Sequence, residues 1–153
     1  MKGLKIFRAT PSNAIDIYAL LKQAVQEAVY PDHQPTNKQL QGFYLGQLLQ
    51  THLPSPFHYY YLAKRGRGFL GYLHAVACPN YWDGTFDCLF IELIFVSEKY
   101  RKKGVAKKLL ETLRKESEDI GVKRLDLFSM DHNLPYWDKQ GAKPITNLMR
   151  MDL

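Results

Sequence analysis

The sequence predicts one mixed α/β domain, with helices against a partly antiparallel sheet. Three observations carry this. Helical apolar stripes flank a strand-rich block, giving the element order β-α-α-β-β-β-α-β-α-β. No internal repeat, low-complexity tract or linker divides the 153 residues, a length suited to a single core. The composition is ordinary for a globular chain, 46% hydrophobic and 24% charged, with ten Tyr and eight Phe.

Residues 4–8 read as a first strand. Thr10-Pro11-Ser12-Asn13 signals a helix start, with Ser12 or Asn13 as the cap. Ile15, Ile17, Ala19, Leu20, Leu21, Val25 and Val29 form a helical stripe up to Tyr30, and Pro31 stops it. Residues 32–36 are a loop. Residues 38–50 form a second helix carrying Leu40, Tyr44, Leu45, Leu48 and Leu49, ended by Leu53-Pro54-Ser55-Pro56.

Residues 58–64 and 69–77 are strands joined by Arg65-Gly66-Arg67-Gly68. Residues 80–84 are a turn, and 86–96 a long apolar strand broken only by Asp87 and Glu92. An amphipathic helix follows, with Val105, Leu109, Leu110, Leu113 and Ile120 inward and Gly121 as C-cap. Residues 124–128 are a strand, 133–140 a short helix ended by Gly141, and 145–152 a last strand. Most aromatics outside the candidate sites (Phe43, Tyr44, Tyr59, Tyr60, Tyr61) are assigned to core or sheet-face packing.

Charge is distributed unevenly. The net charge is +6, and six basic residues (Lys99, Arg101, Lys102, Lys103, Lys107, Lys108) cluster without one acid among them. The other basic residues number 15, matching the 15 acidic ones, so the excess is one local patch. A duplex binder spreads cations over several phosphates, so nucleic acid is not expected as a partner. The patch opens a helix whose far end carries Glu116, Glu118 and Asp119. That polarity opposes the helix dipole, which favours anions at the N-terminus. Free N–H groups there, with Gly104 admitting close approach, make an anion site for a phosphate-bearing ligand.

Other motifs are discounted. Gly66, Gly68 and Gly71 satisfy G-x-G-x-x-G, but strands lie on both sides, so they read as hairpin turn residues. Cys78 and Cys88 have no metal spacing; free thiols in a reducing cytosol are preferred to a cross-hairpin disulfide. The five histidines form no metal constellation, and no metal is expected; His132 is read as a loop residue. No apolar run approaches the roughly 20 residues needed to span a bilayer, and residues 1–8 contain no apolar signal core. A soluble cytoplasmic protein without membrane partners is expected.

The run Glu92-Leu93-Ile94-Phe95-Val96, then Tyr100-Arg101-Lys102-Lys103-Gly104-Val105-Ala106 and Leu109-Leu110, resembles the acetyl-CoA signature of the GNAT N-acetyltransferases. Arg101, Gly104 and Ala106 meet the fixed points of that family's [R/Q]-x-x-G-x-[G/A]. Asn133, Tyr136-Trp137 and Gly141-Ala142 resemble its second element. The specific likeness covers residues 88–142, and the element order matches throughout. The resemblance implies a GNAT-like α/β (α+β) fold, a mixed, mostly antiparallel sheet of about six to seven strands flanked by about four helices, over the single domain 1–153.

The same resemblance implies a division of labour. Acetyl-CoA, as co-substrate, would rest its pyrophosphate on the backbone of residues 101–107, screened by Arg101, Lys102, Lys103 and Lys107. Val105 and Ala106 would contribute to the same cradle. Pantetheine would run along Ile94, Phe95 and Val96, where a β-bulge at Phe95 and Val96 splays two parallel strands. Asn133, Tyr136 and Trp137 would lie by the pantetheine or thioester. The acceptor pocket would be lined by Tyr30, Asp32, His33, Tyr81, Trp82 and Asp83, whose aromatics and carboxylates suit an amine cation.

The chemistry requires an amine that has lost its proton, a donor for the oxyanion, expected near Val96, and an acid or donor for the leaving thiolate. Glu92 is the base candidate: it is the only carboxylate in residues 88–96, and burial would raise its pKa usefully. The family often has Tyr four residues before the glycine of the second element. Here Trp137 holds that place and Tyr136 precedes it, so either the helix re-aims Tyr136 as acid or no phenol acid exists. Only twelve residues follow Gly141, which implies an acceptor site that is open or completed by a second subunit.

The leading reading is acetyl transfer to a primary amine, a small molecule, by direct attack in a ternary complex. A protein N-terminus or lysine is the second acceptor class. A non-catalytic acyl-CoA sensor with the same fold is the rival.

Overall fold

The computed structural model describes residues 2–27, 38–79, 86–129 and 131–145. Five strands form one sheet in chain order: β1 (Leu4–Arg8), β2 (His58–Arg65), β3 (Gly68–Pro79), β4 (Phe86–Val96) and β5 (Arg124–Leu127). The first four are antiparallel neighbours, and β4 and β5 run parallel from Cys88↔Arg124 to Ile91↔Leu127. The helices are α1 (Ala14–Gln26), α2 (Lys38–Gln47), α3 (Val105–Asp119) and α4 (Leu134–Lys139).

Alternation along the strands divides the core in two. Tyr61, Ala63, Leu73, Ala75, Leu89 and Ile91 face α3, where Val105, Leu109, Leu110 and Leu113 cover them together with Trp137. Tyr60, Leu62, Tyr72 and Phe95 face the other way, onto Ala14, Ile17, Leu20 and Ala24 of α1 and onto Leu48. With both faces covered, β2 is buried without interruption from Tyr59 to Ala63.

Several expectations need correction. Five strands, not six or seven, lie among the described residues, and the expected strand at 145–152 falls almost wholly outside them. The helix expected over 38–50 is α-helical only to Gln47; Leu48–His52 is a π-helical turn, with the Leu53 N–H bonded to the Leu48 carbonyl at 3.0 Å. Ile15 and Ile120 are 72% and 48% exposed, so neither belongs to the buried stripe. At the helix start, Asn13 Oδ1 accepts the Thr10 N–H at 3.2 Å. Gly66, at φ 58°, is a turn residue, but Gly71 lies inside β3, paired with Val96.

The sheet opens at one point. Opposite β3, the register passes from His74↔Leu93 to Ala75↔Ile91, leaving Glu92 as the extra residue of a β-bulge. The parallel ladder to β5 ends at Ile91, immediately before it. The bulge is therefore at Glu92, not at Phe95 and Val96. From Glu92 onward β4 has no hydrogen-bonded strand on its β5 side among the described residues.

Candidate active site

The segment from the end of β4 into α3 is built around two left-handed residues. After Val96 the chain makes a short 3₁₀ turn, Glu98–Tyr100, with the Arg101 N–H on the Glu98 carbonyl at 3.0 Å. Lys102 and Gly104 then adopt φ of 58° and 80°. Such alternation turns successive N–H groups toward a common concavity. A positive φ is rare for a lysine, and the strain marks the turn as a constrained element.

The Lys108 N–H makes a helical bond to the Gly104 carbonyl, at 3.1 Å. The N–H groups of Val105, Ala106 and Lys107 therefore lack intrahelical acceptors. Gly104 occupies the N-cap without a side chain to cap them, and no acid stands in the first turn. Among the described residues nothing lies within 4 Å of where a Gly104 Cβ would be, so they leave the space over the turn open. These features fit a polyanionic group.

The cations are more tied down than the sequence implies. Arg101 donates from Nε to the Val96 carbonyl at 2.9 Å and pairs with Glu27 at the end of α1. Lys103 donates to the Lys99 carbonyl at 2.7 Å, and Lys107 lies 3.8 Å from Glu111. Arg101 thus clamps the end of β4 to α1, while the exposed Lys102 and Lys108 stand beside the free backbone N–H groups of the helix start.

Glu92 is exposed, not buried as expected. Its charge reaches Tyr44, His52 and Tyr60, all on the α1–α2 side of the sheet. The Tyr44 and Tyr60 phenols are hydrogen-bonded, and burial, with Tyr44 the next cause, pushes the Tyr60 phenol far above its ordinary range. Ile94, Phe95 and Val96 continue the open strand, with Phe95 and Val96 buried.

Tyr136 and Trp137 separate in role. Trp137 is 8% exposed and packs into the α3-side core. Tyr136 meets it edge-on, ring centroids 5.1 Å apart, and its hydroxyl is buried without a hydrogen-bond partner among the described residues. Burial raises the Tyr136 phenol, while Arg114 pulls it down. An orphaned buried hydroxyl is costly and leaves Tyr136, rather than Trp137, with a hydroxyl to offer. Asn133 is exposed at the start of α4, and its side chain makes no cap bond.

Tyr30, Asp32, His33, Tyr81, Trp82 and Asp83 lie outside the described residues. A cavity of about 290 Å³ lies elsewhere, lined by Ile91, Leu110, Arg114, Leu127 and Trp137 among others, and by none of residues 101–107.

Sequence reasoning missed a cluster beside Glu92. His52, His58 and His74, which were expected to form no constellation, come together, with one ring nitrogen of each within 4.8 Å of the others. Burial, then the neighbouring His58 and His52, pushes His74 down to about 3. Burial also lowers His52 and His58. Hairpin register was the signal available: the 65–68 turn pairs Tyr60 with His74 and puts His58 on the same face. Cys78 and Cys88 are free thiols directly opposite each other on β3 and β4.

Residues 17–141 match the model of the acetyltransferase (GNAT) family. The chain belongs to that family. Solved structures share the fold at low identity. A ribosomal-protein-alanine N-acetyltransferase from Brucella melitensis biovar Abortus 2308 is 19% identical, with 98% of this chain and 99% of that one covered and a TM-score of 0.78. An aminoglycoside acetyltransferase from an uncultured soil metagenomic sample, in complex with trehalose, is 18% identical over 99% and 97%, with a TM-score of 0.74. A predicted acetyltransferase with acetyl-CoA from Clostridium acetobutylicum is 14% identical over 97% and 96%, also at 0.74. No curated protein matches the chain. No helix among the described residues is long and apolar enough to cross a membrane.

Proposed function

We propose that this protein is an acetyl-CoA-dependent N-acetyltransferase that acetylates a primary amine of a small molecule by direct attack in a ternary complex. One observation carries the reading. The edge of β4 from Glu92 to Val96, with no strand on its β5 side among the described residues, leads through a short 3₁₀ turn into the left-handed turn at residues 102 and 104 and the free N–H groups of residues 105–107. An extended thiol arm pairs with such an edge as an added strand would, and a pyrophosphate suits such a helix start. Lys102, Lys103, Gly104, Val105, Ala106 and Lys107 hold the phosphates, chiefly through backbone N–H groups. Arg101 holds the end of β4 in place for them.

Glu92, on the bulge at the head of the edge, takes the proton from the ammonium, directly or through water. Its exposure leaves it in reach of solvent and of an incoming amine. Tyr136 supplies the proton or hydrogen bond for the departing thiolate, and Asn133 and Trp137 flank that region. The acceptor is a small amine, in line with the aminoglycoside acetyltransferase among the structures sharing the fold. Tyr30, Asp32, His33, Tyr81, Trp82 and Asp83 line its pocket, which is open or completed by a second copy of the chain. The free thiols of Cys78 and Cys88 support a cytoplasmic location.

The test is thiol release from acetyl-CoA across a panel of polyamines, aminoglycosides, amino acids and peptides. Turnover with at least one amine supports the proposal. Tight CoA binding with no turnover for any amine makes the protein a sensor, and turnover only with peptides moves the acceptor to a protein.

A further inference from the structure

Positions 52, 58 and 74 are distant in sequence, yet their imidazoles meet on the face of the sheet that carries Tyr60. His58 opens β2, His74 lies in β3, and His52 ends the π-helical turn after α2. His58 Nδ1 and His74 Nε2 are 3.1 Å apart, with ring planes 11° from parallel. His52 stacks on His58 at 4.2 Å and Tyr60 on His74 at 4.0 Å. His52 Nδ1 is 3.0 Å from the Tyr60 hydroxyl.

A neutral imidazole has one N–H and one lone pair. Two rings can share one N–H between them; a third nitrogen in the same space gains nothing from that bond. Three nitrogens from three separate elements in one spot are a donor set for a cation. We propose that His52, His58 and His74 bind a divalent transition metal, Zn²⁺, through three imidazole nitrogens, with water in the fourth position.

The dimensions suit this. Zn–N bonds are about 2.0–2.1 Å, so two ligands of a tetrahedral ion lie about 3.4 Å apart. The His58 and His74 nitrogens have to part by a few tenths of an ångström, and their near-parallel rings have to turn so that both lone pairs meet one ion. The most distant pair, at up to 4.8 Å, has to close by more than an ångström. His52 can supply this by rotating about its side-chain bonds, since it is half-buried at the end of a surface turn. Each ring exposes its lone pair by carrying its proton on the other nitrogen. The Tyr60 hydroxyl on His52 Nδ1 is the kind of partner that fixes a ligating ring's orientation, leaving Nε2 for the metal. An all-imidazole set favours Zn²⁺, Cu²⁺ or Ni²⁺ over Mg²⁺ or Ca²⁺.

Zn²⁺ titration of the untagged, chelator-treated protein by calorimetry tests this, with Co²⁺ as a spectroscopic probe. The expected result is one Zn²⁺ per chain and a visible Co²⁺ ligand-field band. Both should weaken at least tenfold in His52→Ala and in His58→Gln. These two positions are half-buried, so the folded variants, checked by circular dichroism, carry the test without disturbing the buried His74. No stoichiometric Zn²⁺ overturns the proposal. So does binding that both variants retain, which would put the ion elsewhere, for instance on Cys78 and Cys88. Neither readout uses acetyl transfer, so the result stands apart from the enzymatic reading.

Discussion

Gly71 of β3 lies directly under the carbonyl of Phe95 in β4. A Cβ at position 71 would sit 2.3 Å from the Phe95 oxygen and 3.0 Å from Val96 Cα, both backbone atoms that cannot swing aside. The glycine is there for close approach, and it lets β4 pass near β3 just beyond the bulge at Glu92.

Gly71→Ala should therefore displace the open edge of β4. Overpacking of this kind costs about 1–3 kcal/mol. We expect a loss of that size in urea unfolding and weaker acetyl-CoA binding by calorimetry. Gly68→Ala, whose Cβ would meet only the Arg65 carbonyl oxygen at 3.8 Å, is the contrasting control and should be milder in both.

Gly104 is needed for its backbone angle rather than for space. Its φ is 80°, and nothing among the described residues lies within 4 Å of the added Cβ. A left-handed non-glycine residue costs roughly 1–2 kcal/mol. Gly104→Ala should lower stability by about that much and weaken CoA more than it weakens a pantetheine fragment without the pyrophosphate. Equal weakening of both ligands would contradict a phosphate role for this turn.

The clamp from Arg101 to Val96 and Glu27 predicts a split effect. The ion pair is substantially exposed, 45% and 26% at its two side chains, so Glu27→Gln should cost only about 0.2–1 kcal/mol. Arg101→Ala also removes the bond to the Val96 carbonyl and should cost more. In the Arg101 variant the acetyl-CoA KM should rise with little change in kcat, because the side chain positions the strand and touches no reacting atom.

Tyr61 couples β2 to α3 and sets an alkaline limit. Its hydroxyl donates to Glu116, which also accepts from Arg8 Nη1 at 2.6 Å. Burial, then this bond to Glu116, raises the Tyr61 phenol above its ordinary 10. The folded state thus favours the protonated phenol. Its contribution is fully present below pH 10 and is lost as pH rises above that value. Unfolding free energy should fall above pH 10, and Tyr61→Phe should flatten that fall. An unchanged alkaline slope in the variant would contradict the assignment.

Much of this was legible in the sequence where the cause is local. The Arg101 to Ala106 stretch announced a helix start, and the strand-rich block from 58 to 96 announced the sheet. The bulge at Glu92 was not legible, because it is a mismatch in register between β4 and the His74–Ala75 step of β3. Likewise the partner of Arg101 is Glu27, 74 positions away. The histidine cluster needs the hairpin register and the π-helical turn together. Ile15 and Ile120 fit an apolar stripe, but Ile15 points away from the face that Ala14 and Ile17 bury, and Ile120 lies just past the end of α3.

The central claim is that Glu92 at the head of the open β4 edge is the base for an amine attacking acetyl-CoA. Steady-state thiol release by Glu92→Gln, at saturating acetyl-CoA and with the best amine of the panel, tests it most directly. The account predicts a kcat reduced about 10²–10⁴-fold, with acetyl-CoA affinity unchanged and partial recovery at high pH, where the amine deprotonates by itself. A kcat within a few-fold of the unsubstituted protein would contradict it.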